Sequence, residues 1–184
     1  MNNIISNTAF VGRYQVANQS DPTVSVELEY LIATYQEEYL RTLLGPQTYD
    51  LFAAWYDSEE PRPENVEFEF LLSGGTFTSR DGIVLYAPPI REAITAYVYC
   101  KWQEWNATQT VSMGEVQTES QNALVASAKL KVVDAWNYLV NASMSYWLYL
   151  HKQYANNAIW TTWERQAREH YIQDIYVKRN RLDI

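Results

Sequence analysis

Residues 37–55, EEYLRTLLGPQTYDLFAAW, read as a helix that stops at Leu44, turns at Gly45-Pro46 and starts again at once. A Gly just past a helix end supplies a backbone conformation that side chains resist, and a Pro beside it cannot continue that helix but opens the next one. The corner is therefore written locally. It is crowded with aromatic residues, Tyr39, Tyr49, Phe52 and Trp55, and two uses for them stand open. They close a core between the two helices, or Trp55 and Tyr56 face a neighbouring subunit, where large amphipathic rings are enriched.

Upstream of the corner, Asp21-Pro22 is an N-cap followed by Pro at the first helical position, and Leu28, Leu31, Ile32, Tyr35, Tyr39 and Leu43 recur at helical spacing. Downstream, a shorter helix runs from Pro46 to about Asp57, where DSEEPRPEN breaks it. Over 66–86, VEFEFLLSGGTFTSRDGIVLY, β-branched and aromatic residues cluster around Ser-Gly-Gly and Arg-Asp-Gly, which predicts a small β-meander or hairpin. Pro88-Pro89 closes it, and IREAITAYVYCKWQEW is a strong helix whose wide apolar band predicts more than one neighbour. The polar stretch 106–121 reads as a loop longer than usual between helices, expected to carry function or to move. From about Glu119 to Leu150 a helical pattern returns, and ~30 residues of helix span roughly 45 Å. The segment after His151 reads as a last helix and a tail. The expected fold is mainly α with a small β insertion, organised as an N-terminal arm (1–20), a helical domain (21–150) and a C-terminal helix and tail (151–184).

The chain has 184 residues, enough for one domain with a real core, and its 15% aromatic share is high for such a domain. The net charge of −8 argues against free association with nucleic acid, since phosphate neutralisation supplies most non-specific affinity. Charge is unevenly spread: Asp21–Glu69 carries twelve acidic residues against Arg41 and Arg62, whereas His151–Ile184 carries six basic against four acidic. Unlike ends of this kind either face solvent or steer one copy onto the next. Cys100 stands alone, so no intrachain disulfide forms, and it is expected to pack as a small hydrophobe. The N-terminus, MNNIISNTAF, lacks the pattern of a secretory signal and no stretch approaches a membrane span, so the chain is expected to be made in the cytoplasm, with no membrane partner.

A catalytic constellation is hard to assemble. His151 and His170 are the only histidines, and no Gly-x-Ser-x-Gly occurs. His170 with Glu169 and Asp174 has a spacing that could hold a metal, but a surface helix carries such trios by chance. Glu37-Glu38 are helix neighbours that point apart, and Glu59-Glu60 sit in a Pro-rich loop. Gly74-Gly75 and Gly82 lack a following Lys-Ser/Thr and read as turn residues rather than a phosphate cradle.

The order of features, from the YLRTLLGPQTYDLF corner through the LLSGGTFTSRDG meander and the IREAITAYVYCKWQEW helix to TVSMGEVQTESQN leading into a long helix, resembles head-to-tail connector proteins of tailed bacteriophages. Within them it is most similar to the version carried by Bacteroides-type phages, including crAss-like ones. The resemblance covers roughly 21–150 and lies in the succession of elements rather than in a short motif. It implies an α-helical structural subunit, not an enzyme, in a virion neck ring beneath a portal of dodecameric symmetry. Such a ring extends the DNA exit channel and has further neck or tail proteins below it; no metal or cofactor is implied. It also implies that the aromatic helix faces and the long loop serve neighbours. Tyr49, Trp55, Tyr56, Trp102, Trp105, Trp160, Trp163, Tyr171 and Tyr176 are then the candidate subunit or partner interface. Glu115 and Glu119 are candidates for the channel wall, where acidic side chains would let genomic DNA pass without sticking. The hairpin and the long C-terminal segment depart from the smallest members, which leaves the tier within the neck open. Two other classes remain: a soluble helical adaptor that binds a phage or host protein through its aromatic C-terminal segment, and an enzyme of unrecognised type.

Overall fold

The computed structural model describes residues 1–59, 62–111, 114–117, 123–153 and 175–179. The architecture is mainly α, as expected. Helix α1 (Pro22–Leu44) begins where the Asp21 carboxylate accepts the Thr23 N–H at 2.8 Å, and it buries Leu28, Leu31, Ile32, Tyr39, Leu40 and Leu43 on one side. It ends at Gly45, whose φ of 73° and ψ of 159° lie in a region that is essentially reserved for Gly. The Gly45 N–H closes on the Arg41 carbonyl and its own carbonyl accepts the Tyr49 N–H, both at 2.9 Å, so one residue ends α1 and opens α2 (Pro46–Tyr56).

The stretch read as a β-meander over 66–86 is half helix. Helix α3 (Val66–Ser73) starts at Asn65, whose side chain accepts the Phe68 N–H at 3.0 Å, and Glu67 and Glu69 complement its N-terminal dipole. The alternation of Val66, Phe68 and Phe70 mimics a strand, but the buried pair is Phe68 and Leu71, three residues apart. The hairpin is confined to β1 (Gly75–Thr78) and β2 (Val84–Ala87), antiparallel with Phe77 opposite Leu85. Gly74 joins α3 to β1 at φ +68°, and a Cβ there would stand 2.5 Å from the Pro89 nitrogen and 2.7 Å from the Ala87 oxygen. Gly74→Ala is expected to cost about 2–4 kcal/mol, from backbone strain plus overpacking against main chain that cannot yield. Gly45→Ala, strained at a φ of +73°, should cost about 1–3 kcal/mol. Urea midpoints of the two variants check both values.

Helix α4 (Ile90–Ala107) is the centre of the fold: every residue from Ala93 to Cys100 is buried, which is the wide apolar band seen in the sequence. It packs between α1 and α5 (Ala123–Gln153). The Tyr39 hydroxyl meets the Ser143 hydroxyl at 2.9 Å, and the Tyr146 hydroxyl donates to the Pro88 carbonyl at 2.8 Å. Where a loop was expected at 106–121, α4 runs on to Ala107. It leads into a two-stranded antiparallel ribbon, β3 (Thr108–Val111) and β4 (Gly114–Gln117), with Glu115 opposite Thr110 in register. Pairing satisfies backbone groups that a bare connection of this length would leave to water.

The N-terminal arm belongs to the core. Two 3-10 turns, Asn7–Ala9 and Gly12–Tyr14, bring Ile5, Phe10, Tyr14 and Val16 inside. The buried Gln36 amide accepts the Ile4 N–H at 2.7 Å, and Asp57 takes the Asn2 N–H at 2.7 Å and the Met1 ammonium at 3.4 Å. At the other end, Ile175 is buried, the Trp136 indole donates to the Val177 carbonyl at 2.8 Å, and the Asn137 amide clamps the Arg179 backbone. One hydrophobic cluster runs from Ile5 to Ile175. The rest of the expected C-terminal helix and tail, with His170, Glu169 and Asp174, lies outside the described residues.

Candidate interaction surface

The aromatic residues singled out from the sequence divide by burial. Tyr49 is buried under the Arg41 guanidinium, which stands 4.2 Å from its ring centroid. Trp55 is only 8% exposed, packs with Phe52 and Phe68, and donates its indole N–H to the Pro63 carbonyl at 2.7 Å. Trp102 is buried as well. These three are buried in the chain's own core, which corrects the expectation that they face a neighbour. The corner folds α2 back on α1, and Phe52 and Trp55 meet Phe68 between α2 and α3. Tyr56 is half-buried between Phe52 and the Arg62 guanidinium. Tyr176 is partly buried against the core, and burial pushes its phenol far above the ordinary value. Trp105 is 53% exposed. Trp160, Trp163, Tyr171 and Glu119 lie outside the described residues, and Glu115 is placed only by its backbone position in β4.

Two further groups of exposed apolar side chains are not among those singled out from the sequence. Along the hairpin, Phe77, Leu85 and Ala87 turn inward, so Thr76, Thr78, Val84 and Tyr86 share the outer face. Val84 is 70% and Tyr86 59% exposed. A second stripe lies on α1, where Val26 and Tyr30, four residues apart, are 66% and 65% exposed. Period-2 alternation across IVLYA was the available signal for the first patch; the second interrupts an otherwise polar helix face.

The arm, Tyr14, Arg91, Glu92 and Thr95 line a cavity of about 370 Å³. At its edge the Tyr138 hydroxyl donates to Glu92 Oε2 at 2.5 Å, and the Arg13 guanidinium covers the Tyr138 ring at 4.1 Å. Burial, then the Glu92 bond, raises the Tyr138 phenol above its ordinary value, so at neutral pH it stays a donor. Burial pushes the Cys100 thiol up to about 12, and its sulfur lies 3.7 Å from the Val132 carbonyl. Such a thiol is protonated and enclosed. Cys100 should therefore resist a disulfide-exchange reagent at pH 8 and react fully once denaturant unfolds the chain, which a thiol titration with and without urea checks. Among the described residues no three His, Cys, Asp or Glu side chains gather as a metal site, and no helix is long and apolar enough to cross a membrane.

No protein-family model, curated protein or solved structure matches this chain.

Proposed function

We propose that this protein is a structural subunit of a tailed-bacteriophage neck. In this reading it is a ring-forming head-to-tail connector between the portal and the tail components, and it extends the DNA exit channel. The observation that supports the reading is the surface just described: an uncharged hairpin face with Val84 and Tyr86 in solvent, and a second apolar stripe on a different element. Exposed apolar faces and unpaired strand edges adhere to other chains unless something covers them. A closed ring covers both on every copy at once, because its heterologous interface joins one surface to a different one. The ribbon β3–β4 adds open edges, since among the described residues neither strand pairs with a third. The succession of corner, hairpin, central helix and long helix, similar to that of the connectors, supports the same role. A net charge of −8 suits a wall past which phosphates must slide. Immunogold labelling of tailed particles that carry this chain is expected to mark the head–tail junction. Gold on the capsid faces or the tail tip, or a chain missing from washed particles, would overturn the proposal.

A further inference from the structure

The segment 175–179 forms neither helix nor strand, yet its backbone is held by side chains of α5. The Trp136 indole donates to the Val177 carbonyl at 2.8 Å. Its neighbour Asn137 brackets Arg179, accepting the Arg179 N–H at 3.0 Å and donating to the Arg179 carbonyl at 3.2 Å. A side-chain amide that takes both backbone groups of one residue stands in for a neighbouring strand, and it reads main chain whatever the side chain. Side-chain identity is read at the two ends. Ile175 is 1% exposed within the hydrophobic cluster. Four residues on, the Arg179 guanidinium lies 4.0 Å from the Trp136 ring centroid and donates to Glu104 Oε1 at 2.9 Å. Stacking combined with a charge-assisted bond selects Arg over Lys. Between these anchors Val177 and Lys178 are exposed, so their side chains are free to vary. Glu104 belongs to α4, and Trp136 and Asn137 to α5, two helices that pack directly on each other. The groups that read the segment therefore stand on rigid elements.

We propose that this notch between α4 and α5 is a peptide-docking site. Its ligand is a short peptide with an aliphatic residue and, four positions on, an arginine, and the chain's own Ile175–Arg179 fills it as a tethered ligand. The site is independent of the ring reading and stands or falls without it. Presented through its own chain at an effective concentration on the order of 1 mM, the segment fills a site of about 100 µM affinity roughly nine-tenths of the time. A free peptide of the same sequence competes for the notch, and it binds well only when the tethered copy is disabled.

Two full-length variants disable that copy, Arg179→Glu alone and Ile175→Asp together with Arg179→Glu. A capped, fluorescein-labelled peptide DIYVKRN, the sequence of residues 174–180, is titrated with each chain and followed by fluorescence anisotropy. Both variants should bind it saturably with a midpoint of about 100 µM, and wild type about tenfold more weakly because its own segment is in the way. The same peptide carrying Arg179→Glu should bind the variants at least tenfold more weakly, and adding Asn137→Ala to either variant should have a similar effect. Circular dichroism melts show which variants fold, and Arg179→Glu, which keeps the buried Ile175, is the milder of the two.

A folded variant that shows no saturable binding up to about 1 mM peptide would make the segment ordinary intramolecular packing and overturn the proposal. Equal binding to wild type and variants, or equal binding of the two peptides, would place the peptide elsewhere on the surface and overturn it as well. Loss of the melting transition in both variants would show that the segment is part of the core rather than a ligand docked on it.

Discussion

Raising the pH above 10 is expected to unfold this protein cooperatively. Tyr39 and Tyr146 are fully buried and Tyr97 is 5% exposed, and burial drives all three phenols well above the ordinary value of 10. For Tyr97 the hydrogen bond to Glu38 adds to the effect, because a neighbouring carboxylate disfavours a phenolate. In the folded chain these groups hold their protons past the pH at which the unfolded chain releases them. The stability they contribute is fully present below pH 10 and is lost as pH rises towards their folded values. Each such phenol removes about 1.4 kcal/mol per pH unit in that window, so three remove roughly 4 kcal/mol per unit. A domain stable by about 5–15 kcal/mol therefore fails within roughly one to four units above pH 10. Phenolate absorbance should lag behind that of free tyrosine and then rise in one step together with loss of helical circular dichroism. Phenols that all titrate near 10 while the helices persist would contradict this burial.

Trp55→Ala is expected to destabilise the isolated chain by about 3–5 kcal/mol, the usual cost of removing a large aromatic from a core. The side chain touches Phe52 and Phe68, the Arg62 guanidinium lies 5.6 Å from its ring centroid, and its indole satisfies the Pro63 carbonyl. Truncation opens a cavity between α2 and α3 and leaves that carbonyl without its donor, so the effects compound. For a domain of this size the melting temperature should fall by roughly 6–20 °C. The outcome separates the two uses of the corner that the sequence left open. A core role lowers the denaturation midpoint of the monomer, whereas a seam role would leave the midpoint unchanged and abolish assembly alone.

What the sequence made legible was local. Asp21-Pro22 and Gly45-Pro46 fix where α1 starts and stops because caps and corners depend on a few adjacent residues. The wide band of α4 likewise announced a helix with several neighbours. Residues 66–73 were misread because an alternating Val66-Phe68-Phe70 pattern overlies a helix-capping Asn65, and in so short a segment the cap and the i, i+3 burial of Phe68 and Leu71 decide. The place of the arm in the core depends on contacts with α1 and α4, far away in sequence, that no periodicity reports. The exposed apolar patches were the least legible feature. Aromatic content says that rings need cover but not whether the cover comes from the same chain. Here Tyr49, Trp55 and Trp102 found it at home, while Val84, Tyr86, Val26 and Tyr30 did not.

The claim on which the rest depends is that many copies of this chain surround one axis, each touching the next through unlike surfaces. A cryo-electron microscopy reconstruction of the neck of a particle containing it tests that directly. A rotationally symmetric ring of copies around the channel is the expected result. A single copy, or a two-fold pair away from the axis, would contradict it.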